Sequence, residues 1–215
     1  ALPGEPDHDE QARIDRIALA HKHFEKAQKL RPDGVTNFYR QAMLFKQIEN
    51  KPEKAVPLFE RAGVNWESLD DSPRDERGQA LKNYVKALYE LASCRLQAGK
   101  ATQALEIIRK CLSVDEATNY MSLMFKYFAL GKIHFHLNRF DEARDALMFA
   151  LQTRPKGQPD DFVCELLGRT WLMLDNPAKA MEIINRVPEN RRRPYVRWTE
   201  ADICCALGKV DRARQ

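Results

Sequence analysis

The stretch from Met124 to Pro155, MFKYFALGKIHFHLNRFDEARDALMFALQTRP, decides the reading of the chain. Within it Tyr127, Leu130 and His134 recur at steps of three and four residues and so share one face of a helix. Gly131 sits on the same stretch, where the absence of a side chain lets a second helix approach. Ala143, Leu147 and Ala150 mark the apolar stripe of that second helix. Asn138 and Arg139 make a short turn between the two, and Pro155 closes the second helix because proline cannot continue an α ladder. The segment therefore encodes one antiparallel helical hairpin.

The same register recurs in both directions. Downstream, Leu167, Gly168 and Trp171 are followed by the turn Asp175-Asn176-Pro177 and by Ala180, with Pro177 placed in the first turn of a helix. Beyond that, Tyr195 to Leu207 reads as a first helix, Gly208-Lys209 as a turn and Ala213 as the start of a second helix. Upstream, Leu88, Leu91 and Ala92 lead through Gly99 to Ala104, Ile108 and Cys111. Nearer the start, Tyr39 leads through Asn50-Lys51-Pro52 to Ala55, Phe59 and Ala62, with Ala42 and Met43 in place of the Leu-Gly pair. Ala20, Phe24, Ala27 and Pro32 match only a second helix. The alanine marker falls at 20, 55, 104, 143, 180 and 213, in steps of 35, 49, 39, 37 and 33. The long step carries about 15 extra residues near Asp70 to Gln79, as an exposed loop or an extension of the next helix. No strand-like alternation appears, so the chain reads as all-α.

A fixed period of this length, with Tyr127, Leu130, Gly131, Ala143, Leu147, Ala150 and Pro155 in their places, resembles the tetratricopeptide repeat. His134 stands where that family prefers Tyr. The resemblance implies a right-handed α-solenoid of antiparallel hairpins. It divides the chain into a flexible leader (1–13) and a single solenoid (14–215), whose units are 14–33 (half), 36–69, 85–118, 124–157, 161–190 and 194–215 (cut short). An insertion occupies 70–84. Lacking an initiator Met and ending on DRARQ inside an expected helix, the chain reads as a piece of a longer protein.

Composition supports a folded, helical chain: apolar residues make up 44% and charged residues 31%. The net charge of +4 comes from interleaved signs, with a slight bias toward acidic partners. The densest basic run, Arg191 to Arg193, reads as solvated, and without a basic stripe or a stacking platform nucleic acid is disfavoured as a partner. Cys94, Cys111, Cys164, Cys204 and Cys205 show no CxxC spacing and suit helix interiors, which points to free thiols in a reducing cytoplasm. No apolar run reaches the length of a membrane span, and the Pro-rich, acidic opening is not a signal peptide.

Catalytic and metal chemistry find no support. His21 and His23, like His134 and His136, are two apart, so on a helix each pair diverges by about 200° and cannot chelate one ion. The expectation is His134 in the core and His136 at the surface. The cysteines have no local base and orienter, and the glycines are scattered singly. No cofactor is expected.

The family resemblance instead implies a concave surface lined by the first helices. The register places there Arg40 and Leu44, then Tyr89, then Phe125, Phe128, Lys132 and Phe135, then Phe162, Arg169 and Leu172, and finally Trp198. Aromatic rings with scattered cations suit a protein or peptide partner with apolar anchors and acidic groups. The alternative is that these rings pack into neighbouring hairpins or hold the leader. Chaperone-tail-binding members of the family use a Lys and Asn carboxylate clamp, whereas Arg40, Leu44, Glu90 and Phe125 stand at those places, so that activity is not implied. The functional expectation is a non-enzymatic interaction scaffold. The other readings are a regulatory or targeting module of a larger enzyme or secretion machine, and an RNA-binding helical repeat. Self-association through the terminal repeats stays open.

Overall fold

The computed structural model describes residues 8–69 and 78–209. Among them are ten α-helices and no strand. The chain forms two compact units, Ala1–Cys94 and Arg95–Gln215, and the division falls inside the fourth helix.

Unit 1 contains α1 (His8–Leu30), α2 (Val35–Met43), α3 (Pro52–Glu67) and most of α4 (Gly78–Gln97). The first helix starts at His8, inside the stretch expected to be a leader, and residues 1–7 lie outside the described residues. So do residues 70–77 of the expected insertion, whose remaining part belongs to α4. A π-helical turn, Leu44–Ile48, follows α2 directly. Ala42, Ala55, Phe59 and Ala62 are fully buried between α2 and α3. Tyr84 of α4 stacks on Trp66 with ring centroids 5.5 Å apart and donates a hydrogen bond to Glu67 at 2.9 Å.

Unit 2 contains α5 (Ala101–Val114), α6 (Leu123–His136), α7 (Phe140–Gln152), α8 (Asp161–Met173), α9 (Pro177–Ile184) and α10 (Pro194–Ala206). Residues 210–215, including Ala213, lie outside the described residues. The α6–α7 and α8–α9 hairpins form as the register predicts, for a steric reason that can be measured. A Cβ on Gly131 would stand 2.6 Å from Leu147 Cγ, and one on Gly168 would stand 3.1 Å from Ile184 Cδ1. Helix α6 can approach α7 this closely only because residue 131 has no side chain. Met124, Leu147, Ala150, Val163 and Leu167 form the core that joins the two hairpins.

The repeat is also written in the backbone. Asn50, Gly99, Asn138, Asp175 and Gly208, one just after each first helix, all adopt positive φ, between 53° and 74°. Their steps of 49, 39, 37 and 33 equal those of the alanine marker from Ala55 onward. Gly, Asn and Asp are the residues that tolerate this left-handed conformation, which ends a helix and reverses the chain.

The loop from α5 to α6 is organised by an ion pair that the apolar periodicity does not reveal. Lys126 Nζ lies 2.8 Å from Asp115 Oδ2, and both side chains are fully buried. The Asp115 carboxylate also accepts from the backbone N–H groups of Tyr120 and Met121 and from the Thr118 hydroxyl. Burial alone would raise the Asp115 pKa, but Lys126 and these donors hold it below the usual carboxylate value. Of the five cysteines, four are buried as expected. Cys205 is exposed, because its position on α10 faces away from the core that takes Cys204.

Candidate functional site

The predicted partner-facing residues fall into two groups, one in each unit. In unit 2, α6 supplies Phe125, Phe128, Lys132 and Phe135, and α8 supplies Phe162 and Arg169. Phe162 stacks parallel to Phe125 at 6.2 Å between ring centroids and meets Phe128 edge-on at 4.7 Å. Arg169 places its guanidinium 5.2 Å above the Phe135 ring. The four rings are half-buried, whereas Lys132 and Arg169 are exposed. The aromatic stripe therefore does two things: its rings meet side chains of the neighbouring hairpin, and each stays partly on the surface.

The electrostatics of this face are positive. Besides burial, Lys132 and Arg169 push the pKa of His136 below its ordinary value. The nearby acid is Glu165, which accepts from Thr199 at 3.0 Å and lies 3.6 Å from Arg169. Burial raises its pKa despite those partners. His134 is in the core with an unpartnered Nδ1, and His136 is exposed. Trp198 on α10 is 71% exposed, the most open ring of this unit's first helices. Leu172 packs instead against the core shared by α9 and α10.

In unit 1, Arg40 is exposed at the end of α2, Leu44 opens the π-helical turn half-buried, and Tyr89 is half-buried on α4. Lys46, which the register left aside, bonds to Glu90 at 2.5 Å and ties the π-helical turn to α4. His21 of α1 contacts Glu49 at 2.5 Å and stands 4.2 Å from the Phe45 ring.

Sequence reasoning also missed the bonds that hold α10 to α8. Tyr195 donates to Asp161 and Thr199 to Glu165, each across 34 positions. Phe128 with Phe162 and Phe135 with Arg169 have the same separation. The signal was available: one repeat period brings equivalent positions of successive first helices together, so pairs one period apart are candidate contacts. Burial and the hydrogen bond to Asp161 raise the Tyr195 pKa to about 12.

Comparison with known proteins agrees with this architecture. The family model described as tetratricopeptide repeat matches residues 85–118 and 127–156. Among curated proteins, none matches the sequence. The fold is similar to that of BtubC (BKLC) from P. vanneervenii, with a TM-score of 0.68 and 18% identity over 94% of this chain and 86% of that one. It is also similar to YrrB, described as a TPR protein with an unusual peptide-binding site, with a TM-score of 0.60 and 15% identity over 94% and 88%. A tetratricopeptide repeat protein from Parabacteroides merdae gives a TM-score of 0.57 and 18% identity over 94% and 70%. The chain thus carries tetratricopeptide repeats, and its fold is that of tetratricopeptide-repeat proteins. Repeats of this kind support a helical-repeat scaffold for protein interaction. Among the described residues no helix is long and apolar enough to cross a membrane.

Proposed function

We propose that the chain is a non-enzymatic interaction scaffold that holds a partner segment on the first-helix face of unit 2. The observation that carries this reading is the arrangement of Phe125, Phe128 and Phe162 at the surface, flanked by the exposed cations Lys132 and Arg169. A segment with a large apolar side chain would cover the half-buried rings, and a carboxylate beside it would meet Lys132 or Arg169. The peptide-binding site named for YrrB gives the reading a precedent on this fold. The residues Arg40, Leu44 and Tyr89 would act as a separate contact surface in unit 1. Four buried free thiols favour a reducing compartment such as the cytoplasm.

A random peptide library displayed on phage and selected on the protein tests this. Enriched peptides should pair an aromatic or large aliphatic residue with Asp or Glu, and Phe128→Ala and the double variant Lys132→Glu/Arg169→Glu should each weaken them at least tenfold. Arg61→Glu, on the exposed face of α3 in the other unit, should leave them unchanged. Binders indifferent to both unit 2 variants would overturn the reading.

A further inference from the structure

The run Arg191-Arg192-Arg193 divides its labour. Arg192 is a structural residue: its side chain is only 8% exposed and pairs with Glu200 at 2.8 Å. It also donates to the Val187 carbonyl at 3.0 Å and to Asn185 at 3.2 Å. These bonds fix the backbone of the linker between α9 and α10. The residues on either side, Arg191 and Arg193, line a cavity of about 420 Å³ that is also lined by Arg154 from the loop joining α7 to α8.

Two carboxylates, Asp160 and Asp161, also line this cavity, and both are already engaged. Asp160 lies 3.4 Å from Arg154, and Asp161 lies 3.5 Å from Arg193 and accepts from Tyr195. They hold Arg154 and Arg193 in place. Arg191 makes no ion pair among the described residues, so the cavity has one uncompensated guanidinium and two more that a stronger anion can recruit. Guanidinium groups match the geometry of phosphate oxygens and bind them by paired hydrogen bonds. The volume lies in the range of about 300 to 1,000 Å³ usual for small-molecule sites, which leaves room for a group esterified to the phosphate.

We propose that this cavity binds the phosphoryl group of a small phosphate monoester, with Arg154, Arg191 and Arg193 as its ligands and Arg192 as the residue that positions two of them. The site is separate from the aromatic face of α6 and α8 and does not depend on the peptide reading.

Amide NMR spectra of the ¹⁵N-labelled protein, titrated with inorganic phosphate and with O-phosphoserine, test it against sodium chloride of matched ionic strength. Both phosphates should give saturable shifts at Gly157, Asp161 and Arg191 that chloride does not reproduce, with O-phosphoserine the tighter of the two. The double variant Arg154→Gln/Arg191→Gln changes two exposed side chains and should weaken both by at least tenfold, whereas Arg197→Gln on α10 should not. Shifts that chloride reproduces, the absence of saturation in the unaltered protein, or a double variant that titrates like the parent would each overturn the proposal.

Discussion

The hairpin of α6 and α7 in unit 2 and that of α2 and α3 in unit 1 share a register but close differently. In the first, Gly131 lets Leu147 and the Ala143 carbonyl come to within the space a Cβ would need, and α6 runs unbroken for 14 residues. In the second, Ala42 and Met43 stand in place of Leu130 and Gly131, and α2 gives way after 9 residues to the π-helical turn. A π turn widens the helix by one residue, which moves side chains that a tighter approach would exclude. The segment is then held by polar contacts, Lys46 with Glu90 and His21 with Glu49. A hairpin with the glycine closes by apolar contact. The one without it also buries apolar side chains and adds bonds to α4 and α1.

Unit 2 has a second feature without a counterpart among the described residues of unit 1, the buried pair of Lys126 and Asp115. Breaking it should give the largest effect: Lys126→Met leaves a buried carboxylate uncompensated and should cost about 3–5 kcal/mol in urea unfolding. Because the Asp115 pKa is lowered in the folded state, its contribution is present above the ordinary carboxylate range and is lost as pH falls through the folded value. Acid unfolding of the Asp115→Asn variant should accordingly be less steep, although its starting stability is lower.

The glycine contrast can be tested next. Gly131→Ala forces Leu147 or the backbone to move and should destabilise by about 1–3 kcal/mol. Gly63→Ala in α3 should instead stabilise by about 0.5–1 kcal/mol, because a Cβ there meets the Tyr84 ring at an ordinary 3.7 Å and alanine is the better helix former. Equal effects at the two sites would remove the distinction drawn between the hairpins.

The smallest expected effect is at His134. Burial lowers its pKa, with Arg109 and Arg139 adding to the shift and Glu142 opposing it. Below about 6.5 the unfolded chain takes up a proton that the folded chain refuses, so stability declines as pH falls from that point toward the folded value. His134→Phe should flatten this slope in thermal melts between pH 7 and 5. An unchanged slope would assign it to another group.

Much of the fold was legible because a repeat states the same constraint several times. Ala55, Ala104, Ala143 and Ala180 are each fully buried, and the turn residues five positions before them share one backbone conformation. Small residues at helix contacts and Gly, Asn or Asp at reversals are local requirements, so local sequence carries them. The candidate face was legible only in part. The register named Phe125, Phe128, Phe162 and Arg169, but not that Leu172 turns into the α9–α10 core, nor that Arg192 is a buried anchor while its neighbours face a cavity.

The sequence by itself determined the helical hairpins, their boundaries near each turn and the apolar stripes that join them, since these follow from periodicity and from residues with restricted or unusual backbone freedom. Tertiary structure alone decided which charges are buried and paired. Lys126 stands within an otherwise apolar run, and only the approach of Asp115 from the preceding loop makes it part of the core. Partner choice between charged side chains depends on distance in space and on access to water, and neither is encoded in the neighbours along the chain.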